Sequence, residues 1–354
     1  MKIFISIKSM LLLLLIAMGS TSARAQDYSH GDAVPLFSSH DMLQIIIRAD
    51  LQTINNDVGE ERQEHPATVQ YLQGSDTVSL DVQISTRGNF RRKAKNCTFP
   101  PLRINFKKKQ VKGTLFDGIN KIKLVVQCRP NSIVYEQYVL EEYLIYRVYN
   151  ILTDTSFRVR LAQITYIDQG RKTKTWQSYA FFIEPDGCFE SRLHMVESKK
   201  KYLMQDSTQF DHVSRLAIFE YFIGNTDWAV TTLHNIKLFR VDTLQRPYAI
   251  PYDFDWAGVI STEYAEPLPH FNIDKVSDRF FRGQCRRMEQ LKENFEFFKS
   301  KKNEIYALYE NFEPLRSRQR KDALSYYDKF FDIIANDARI QIEFIDRCLE
   351  KQKQ

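Results

Sequence analysis

Three oxygen-bearing side chains follow one another in a fixed order: Asp227 in Ile223-Gly224-Asn225-Thr226-Asp227-Trp228, Asn235 in Leu233-His234-Asn235-Ile236, and Asp253 in Tyr252-Asp253-Phe254-Asp255. Phosphoryl transfer asks for such a set: a carboxylate to orient or deprotonate the acceptor, an amide oxygen on a metal, and a second carboxylate between metal and phosphates. A hairpin that returns Asp253 beside Asn235 would bring both oxygens to one hard cation, which prefers such ligands. Asp255 shares a strand face with Asp253 if that segment is extended. The aromatic setting of Tyr252, Phe254 and Trp256 argues that these carboxylates are held and not freely solvated. Taken singly, each has a plainer reading: Asp227 as the cap of a turn, Asp253 and Asp255 as strand-end solubility residues, His234 as a structural histidine.

The elements that must position these residues are read from hydrophobic period. Ala67 to Gly88 alternates as a hairpin around Gly74-Ser75-Asp76, with Val78, Leu80, Val82 and Ile84 on one face. Leu43 to Ile47 is ambiguous between strand and short helix. Leu102, Ile104 and Phe106 form another strand, closed by Lys107-Lys108-Lys109 as a charged turn. Ile122, Leu124 and Val126 form the next, which puts Lys121 and Lys123 together on its opposite face. Ser132 to Leu152 changes to helical spacing, with Ser132 as N-cap. Strands at Leu161–Ile167 and Tyr179–Ile183 lead to Glu184-Pro185-Asp186-Gly187, a turn or hinge. Beyond it the pattern is mainly helical, broken by a short hairpin at Ile236–Phe239 and Tyr248–Ile250. This order predicts an α+β, two-lobed, protein-kinase-like layout. An N-terminal antiparallel sheet lobe with one helix spans residues 26–187, and a mainly helical C-terminal lobe spans 188–354.

On these residues the chain resembles the CotH kinase family, atypical kinases first associated with the spore coat and related to other secreted kinase-like proteins. The matches are Arg87-Gly88-Asn89 at the end of the first hairpin, Leu115-Phe116-Asp117-Gly118 before Lys121-Ile122-Lys123-Leu124, and the Asp227, Asn235 and Asp253 settings. Each is short, and their order carries the resemblance over roughly residues 67–260. It implies ATP as phosphoryl donor, Mg2+ or Mn2+ as cofactor, Asp227 as catalytic base, Asn235 and Asp253 as metal ligands, and Asp255 on a second metal. Lys123 would bind phosphate, with Lys121 a near rival. Glu142 would pair with that lysine, with Glu141 or Glu136 fitting almost as well. Arg87 would lie near the nucleotide phosphates if the Arg-Gly-Asn turn replaces a glycine-rich loop. The chain departs from a protein kinase in two ways. Seven residues separate Asp227 from Asn235, more than in the usual catalytic loop, and no glycine-rich loop is present.

Composition narrows the alternatives. The chain has 354 residues, 43% of them apolar, and 50 Lys and Arg against 44 Asp and Glu. That composition folds. Lys2 and Lys8 precede the apolar run Met10–Met18, and Ala23-Arg24-Ala25 offers small residues for cleavage, so residues 1–25 read as a secretory signal. Without them, 47 basic residues face 44 acidic ones. No later segment is long and apolar enough to span a membrane. The expected location is therefore exported: periplasm, cell surface or extracellular. Five cysteines without a C-x-x-C speak against zinc. Cys97 with Cys128 is the preferred disulfide, beside an equal alternative of buried free thiols. Arg91, Arg92, Lys93 and Lys95, then Lys107 to Lys109, lack interleaved aromatics and read as surface charge or an anionic contact, not a nucleic-acid site. Three functions compete: phosphoryl transfer to a protein or glycan acceptor in the cell envelope, a non-catalytic kinase-fold envelope protein that binds a surface partner, and glycoside hydrolysis by Asp227 with Asp253 or Asp255.

Overall fold

The computed structural model describes residues 34–170, 174–271 and 273–349. The expected signal at 1–25 lies outside the described residues. A 3-10 turn at Pro35–Phe37 is followed by β1 (Leu43–Ala49), α1 (Leu51–Asn56), β2 (His65–Gln73), β3 (Asp76–Thr86), β4 (Leu102–Phe106), α2 (Lys108–Val111), β5 (Lys121–Val126), α3 (Ile133–Leu152), β6 (Val159–Asp168) and β7 (Lys174–Ile183). Then come α4 (Asp186–Leu193), β8 (Val196–Ser198), α5 (Phe210–Ile223), β9 (Ile236–Arg240), β10 (Tyr248–Pro251), α6 (Met288–Glu310), α7 (Ser317–Ile334) and α8 (Asp337–Ile340).

The first seven strands close into a barrel in the order β1-β2-β3-β4-β5-β7-β6. This corrects the expected antiparallel sheet: β1 pairs antiparallel with β2 and parallel with β6, with Ile45 opposite both Tyr71 and Ile164. Closure removes the free edges that an open sheet must protect. Leu43–Ile47, ambiguous by spacing, is the strand that makes the closure. The alternating residues fill the interior as expected: Ile45, Ile47, Val69, Leu80, Val82, Ile84, Leu102, Ile104, Ile122 and Leu124 form one core with Phe116. The Lys107–Lys109 segment is the start of the short helix α2 and not a turn.

Strand β7 joins the barrel to the rest of the core. Ala180 and Phe182 point into the barrel, while Phe181 and Ile183 belong to a second core built on α3, α5, α6 and α7. That is why Ala180–Ile183 reads as a continuous apolar run: both faces of the strand are covered. Helix α3 begins at the expected N-cap, Ser132. The expected hinge is instead the start of α4. Pro185 occupies its N-cap, and Glu184 is buried in an ion pair with Arg192 at 2.8 Å. The boundary expected at residue 187 therefore falls inside a helix. The predicted β9–β10 hairpin is present, with β8 added as a third strand.

Cys97 bonds to Cys128 as preferred, and Cys285 bonds to Cys348; Cys188 is a buried free thiol. Among the described residues no helix is long and apolar enough to cross a membrane.

Candidate active site

Helix α5 stops at Gly224, whose φ of +71° and lack of a side chain are both required. A Cβ there would stand 2.0 Å from the Tyr326 hydroxyl oxygen. The turn delivers Asn225, fully buried, whose side-chain N–H donates to Glu220 Oε2 at 2.9 Å and whose Oδ1 accepts the Asp227 backbone N–H at 2.9 Å. Arg282 Nη1 donates to the carbonyls of Thr226 and Trp228, one on each side of Asp227. The Asp227 backbone is thus fixed from below before its side chain makes any contact.

Both carboxylate oxygens of Asp227 are engaged. Oδ1 lies 2.7 Å from His234 Nε2, and Oδ2 accepts the Asn235 side-chain N–H at 2.9 Å. The same Asn235 nitrogen also donates to the Asp227 carbonyl at 2.8 Å. The long spacing between the two residues is taken up by a small loop, closed by the mutual backbone bonds of Ala229 and His234. His234, expected to be structural, therefore contacts the candidate base. Asn235 and Asp253 carry φ values of +49° and +65°. Asn and Asp tolerate this left-handed region better than other residues with a side chain, and its use beside a cavity is common at functional sites. The Tyr252 N–H donates to the Asn235 carbonyl at 3.0 Å, and the Asp253 N–H donates to the Tyr146 hydroxyl at 2.8 Å. A tyrosine of α3 thereby sets Asp253 beside Asn235.

The opposite wall is Arg87-Gly88-Asn89-Phe90-Arg91, the segment that leaves β3. Together the two walls enclose a cleft of about 490 Å3 that includes Asp227, His234, Asn235, Asp253 and Asp255. Arg91 is 8% exposed, with Nε 3.4 Å from Asp255 and Nη2 3.7 Å from Asp253. Burial opposes its charge, but Asp255, Tyr264, Glu142 and Asp253 outweigh that and hold the guanidinium protonated more firmly than usual. Expected as surface charge, Arg91 is a central cation of the site. Arg87 Nε and Nη2 are buried there without a hydrogen-bond partner. The far end of this segment is tied down by the Cys97–Cys128 disulfide.

Of the two rival lysines, Lys121 is exposed beside Glu64 at 3.5 Å, while Lys123 turns toward the site, its Nζ 5.2 Å from the Tyr252 ring centre. Burial, then Arg87 and Lys237, brings the Lys123 ammonium down to about 8. Among the three candidate glutamates, Glu142 is the one that feels the site's charges: Arg91, Asp255, Asp253 and Arg87. Its carboxyl is pushed upward, chiefly by burial. The cations acting on it are Arg91 and Arg87, where a pair with a lysine was expected. Asp255 is displaced from its expected alignment with Asp253 because the positive φ at 253 breaks the extended run. It accepts from the Tyr264 hydroxyl at 3.0 Å, and burial pushes its carboxyl upward against the opposing pull of Arg91.

Among the described residues no three His, Cys, Asp or Glu side chains converge closely enough to hold a metal by themselves. The donor set nevertheless suits Mg2+ or Mn2+ of the kind bound by one or two protein oxygens together with phosphates. With its nitrogen committed to Asp227, Asn235 has its oxygen left for a cation, and Asp253 is partly exposed to the cleft.

No family model matches the chain, so the likeness to the CotH kinase family rests on the motifs quoted above. No curated protein matches either. Two solved structures of a Golgi casein kinase, one of them with Mn/ADP bound, align over 88% of this chain and 77% of theirs at 10% identity. Their TM-scores of 0.31 and 0.28 carry no argument about this chain, and the functional reading rests on its own cleft.

Proposed function

We propose that the chain is an exported kinase-like phosphotransferase that passes a phosphoryl group from ATP to a hydroxyl of a protein or envelope glycan. The observation that carries this reading is the division of one cleft. Asp227, Asn235 and Asp253 line one side, and Arg87 with unmet N–H groups lines the other, with Lys123 close by. Asp227, held by His234 and Asn235, orients the acceptor hydroxyl and takes its proton. Arg87 and Lys123 bind phosphate oxygens, and Arg87 gains the acceptors that its buried N–H groups lack. Asn235 and Asp253 would hold Mg2+ or Mn2+, which offsets phosphate charge when bound. Two disulfides fit an oxidising compartment and support export.

Thermal shift of residues 26–354 with ATP and Mg2+ or Mn2+, paired with a phosphate-transfer assay, tests the reading. A metal-dependent rise in Tm is expected, since a ligand of the folded state raises apparent stability. Loss of both the rise and turnover in Asp253→Ala is expected as well. Absence of any metal-dependent nucleotide response in the native chain would sink it. The ion pairs of Arg91 with Asp253 and Asp255 favour a second reading, a non-catalytic kinase-like module whose cleft is neutralised by its own arginine. That reading predicts a folded protein with no metal-dependent response.

A further inference from the structure

A second cavity, of about 350 Å3, is lined by Phe37, Ser38 and His40, by Arg147 and Asn150 of α3, and by Ser156 and Arg158 of the turn into β6. It shares no residue with the cleft. Its frame is built. Arg160, 5% exposed, donates to the carbonyls of Leu36 at 3.4 Å, Ser39 at 2.5 Å and Asp41 at 2.5 Å, which pins the segment carrying His40 onto β6. Asn150 Nδ2 donates to Ser156 Oγ at 2.8 Å and to the Phe157 carbonyl at 2.9 Å, which pins the turn after α3.

The charge on this frame is only partly offset: Asp154, and Glu184, itself paired with Arg192, act on Arg158 from nearby. Arginine ion pairs among the described residues use Arg91, Arg192, Arg286, Arg318 and Arg347, and neither Arg147 nor Arg158 is in one. Arg147 Nη1 donates only to the Tyr143 hydroxyl, at 3.2 Å, and its Nε is buried without a partner. His40 reports the same field: burial, then Arg147, Arg160 and Arg158, brings its imidazole down to about 4. The two acids that line the cavity make no ion pair with either arginine. Asp154 is exposed, and Glu304 already accepts from Lys301 at 3.1 Å.

We propose that this cavity is a second binding site, for a tetrahedral oxyanion, a phosphate or sulfate group, held by Arg147 and Arg158. Guanidinium groups bind such oxygens through paired, charge-assisted hydrogen bonds. The volume sits at the lower end of the range for small-ligand sites, and it leaves room for a small group that carries the anion as an ester.

Calorimetric titration of the full chain with inorganic phosphate, inorganic sulfate and glucose 6-phosphate tests this, with glucose and with sodium chloride at matched ionic strength as blanks. Saturable binding of the anions beyond the chloride response is expected. Tighter binding of glucose 6-phosphate than of phosphate would identify an ester as the occupant, and the reverse order the free anion. Loss of a charge-assisted contact in Arg147→Gln or Arg158→Gln should weaken binding about tenfold. Glu304→Gln, at an exposed position that does not endanger folding, should strengthen it by removing a negative charge from the cavity wall that repels an anion. Arg87→Gln, in the separate cleft, should leave the binding that depends on Arg147 and Arg158 unchanged. No response beyond chloride, or the same affinity in the Arg147, Arg158 and Glu304 variants, would overturn the proposal. Loss of binding in Arg87→Gln alone would also overturn it, because the anion would then occupy the cleft. The metal-dependent nucleotide response is measured separately, so either reading can fail without the other.

Discussion

Replacing Glu220 by glutamine asks whether a buried carboxyl under the loop that carries Asp227 is held neutral. Glu220 is 1% exposed; one oxygen accepts from Asn225 at 2.9 Å and the other has no hydrogen-bond partner. Burial pushes the carboxyl up to about 8, and the Asn225 hydrogen bond and Arg282 only partly oppose it. In the unfolded chain a glutamate titrates near about 4.3. The native state therefore holds the proton more tightly than the unfolded state. Stability from this group is complete below about pH 4 and falls as pH rises, until the native carboxyl ionises near pH 8. At about 1.4 kcal/mol per pH unit, native Glu220 removes roughly 3 to 4 kcal/mol between pH 5 and pH 8. Glutamine keeps the shape and an oxygen for Asn225 but does not titrate. Urea unfolding at unit pH intervals, followed by the fluorescence of buried Trp228, gives the stability of both chains. Other titrating groups are common to both and cancel in the difference. The expected result is a difference that moves toward the variant by roughly 3 to 4 kcal/mol from pH 5 to pH 8. A difference that stays flat over that range would show that the native state does not hold the Glu220 proton.

Arg91→Gln strands Asp255 and Glu142 in the interior and should cost about 3–5 kcal/mol in urea unfolding. Adding Asp255→Asn should recover part of that loss; a loss that Asp255→Asn deepens would argue against the ion pair. Tyr146→Phe leaves the Asp253 N–H without its acceptor and should cost about 1–3 kcal/mol. It should also weaken nucleotide binding in the presence of metal, and an unchanged affinity would mean that Tyr146 does not place Asp253. Cys285→Ser with Cys348→Ser opens a crosslink between residues 63 apart in sequence and should lower stability by about 2–5 kcal/mol, read by the same unfolding assay.

Much of the barrel is legible because period 2 is a local signal. Val69 and Tyr71, and Leu80, Val82 and Ile84, face inward as their alternation requires. Closure is not legible, because it depends on β1 meeting β6 in parallel across most of the barrel segment, and no local pattern encodes a partner so distant in sequence. The Glu184–Gly187 segment misleads for a different reason. Proline and acidic residues suit a turn and the first turn of a helix equally well, and only the buried Glu184–Arg192 pair decides for the helix. At the candidate site, the meeting of Asp227, Asn235 and Asp253 in one cleft is legible because the hairpin after Asn235 returns the chain beside it. Arg91 is not, since it stands in a run with Arg92, Lys93 and Lys95 that looks uniform by type. Tertiary position separates them: Arg91 is buried and Lys93 and Lys95 are exposed or nearly so. The signal that could have found it is the count of acids the fold must neutralise, for Asp253, Asp255 and Glu142 sit together with Lys123 turned toward Tyr252.

That count also distinguishes two carboxylates that look interchangeable in Tyr252-Asp253-Phe254-Asp255. Asp255 is 7% exposed, and its Oδ2 both accepts from Tyr264 and faces Arg91 Nε at 3.4 Å, so one of its two oxygens is engaged inside the protein. The Asp253 side chain is 41% exposed, and Arg91 stays 3.7 Å away, beyond hydrogen-bond distance. Its positive φ turns the chain between the two residues, so both line the cleft but Asp253 is the more open to it and Asp255 lies closer against the arginine. Under the proposed function, a cation at this wall would meet the Asp253 carboxylate and the Asn235 oxygen as its more open donors. Asp255 contributes by keeping Arg91 in place, and with it the positive charge that an anionic nucleotide would meet across the cleft.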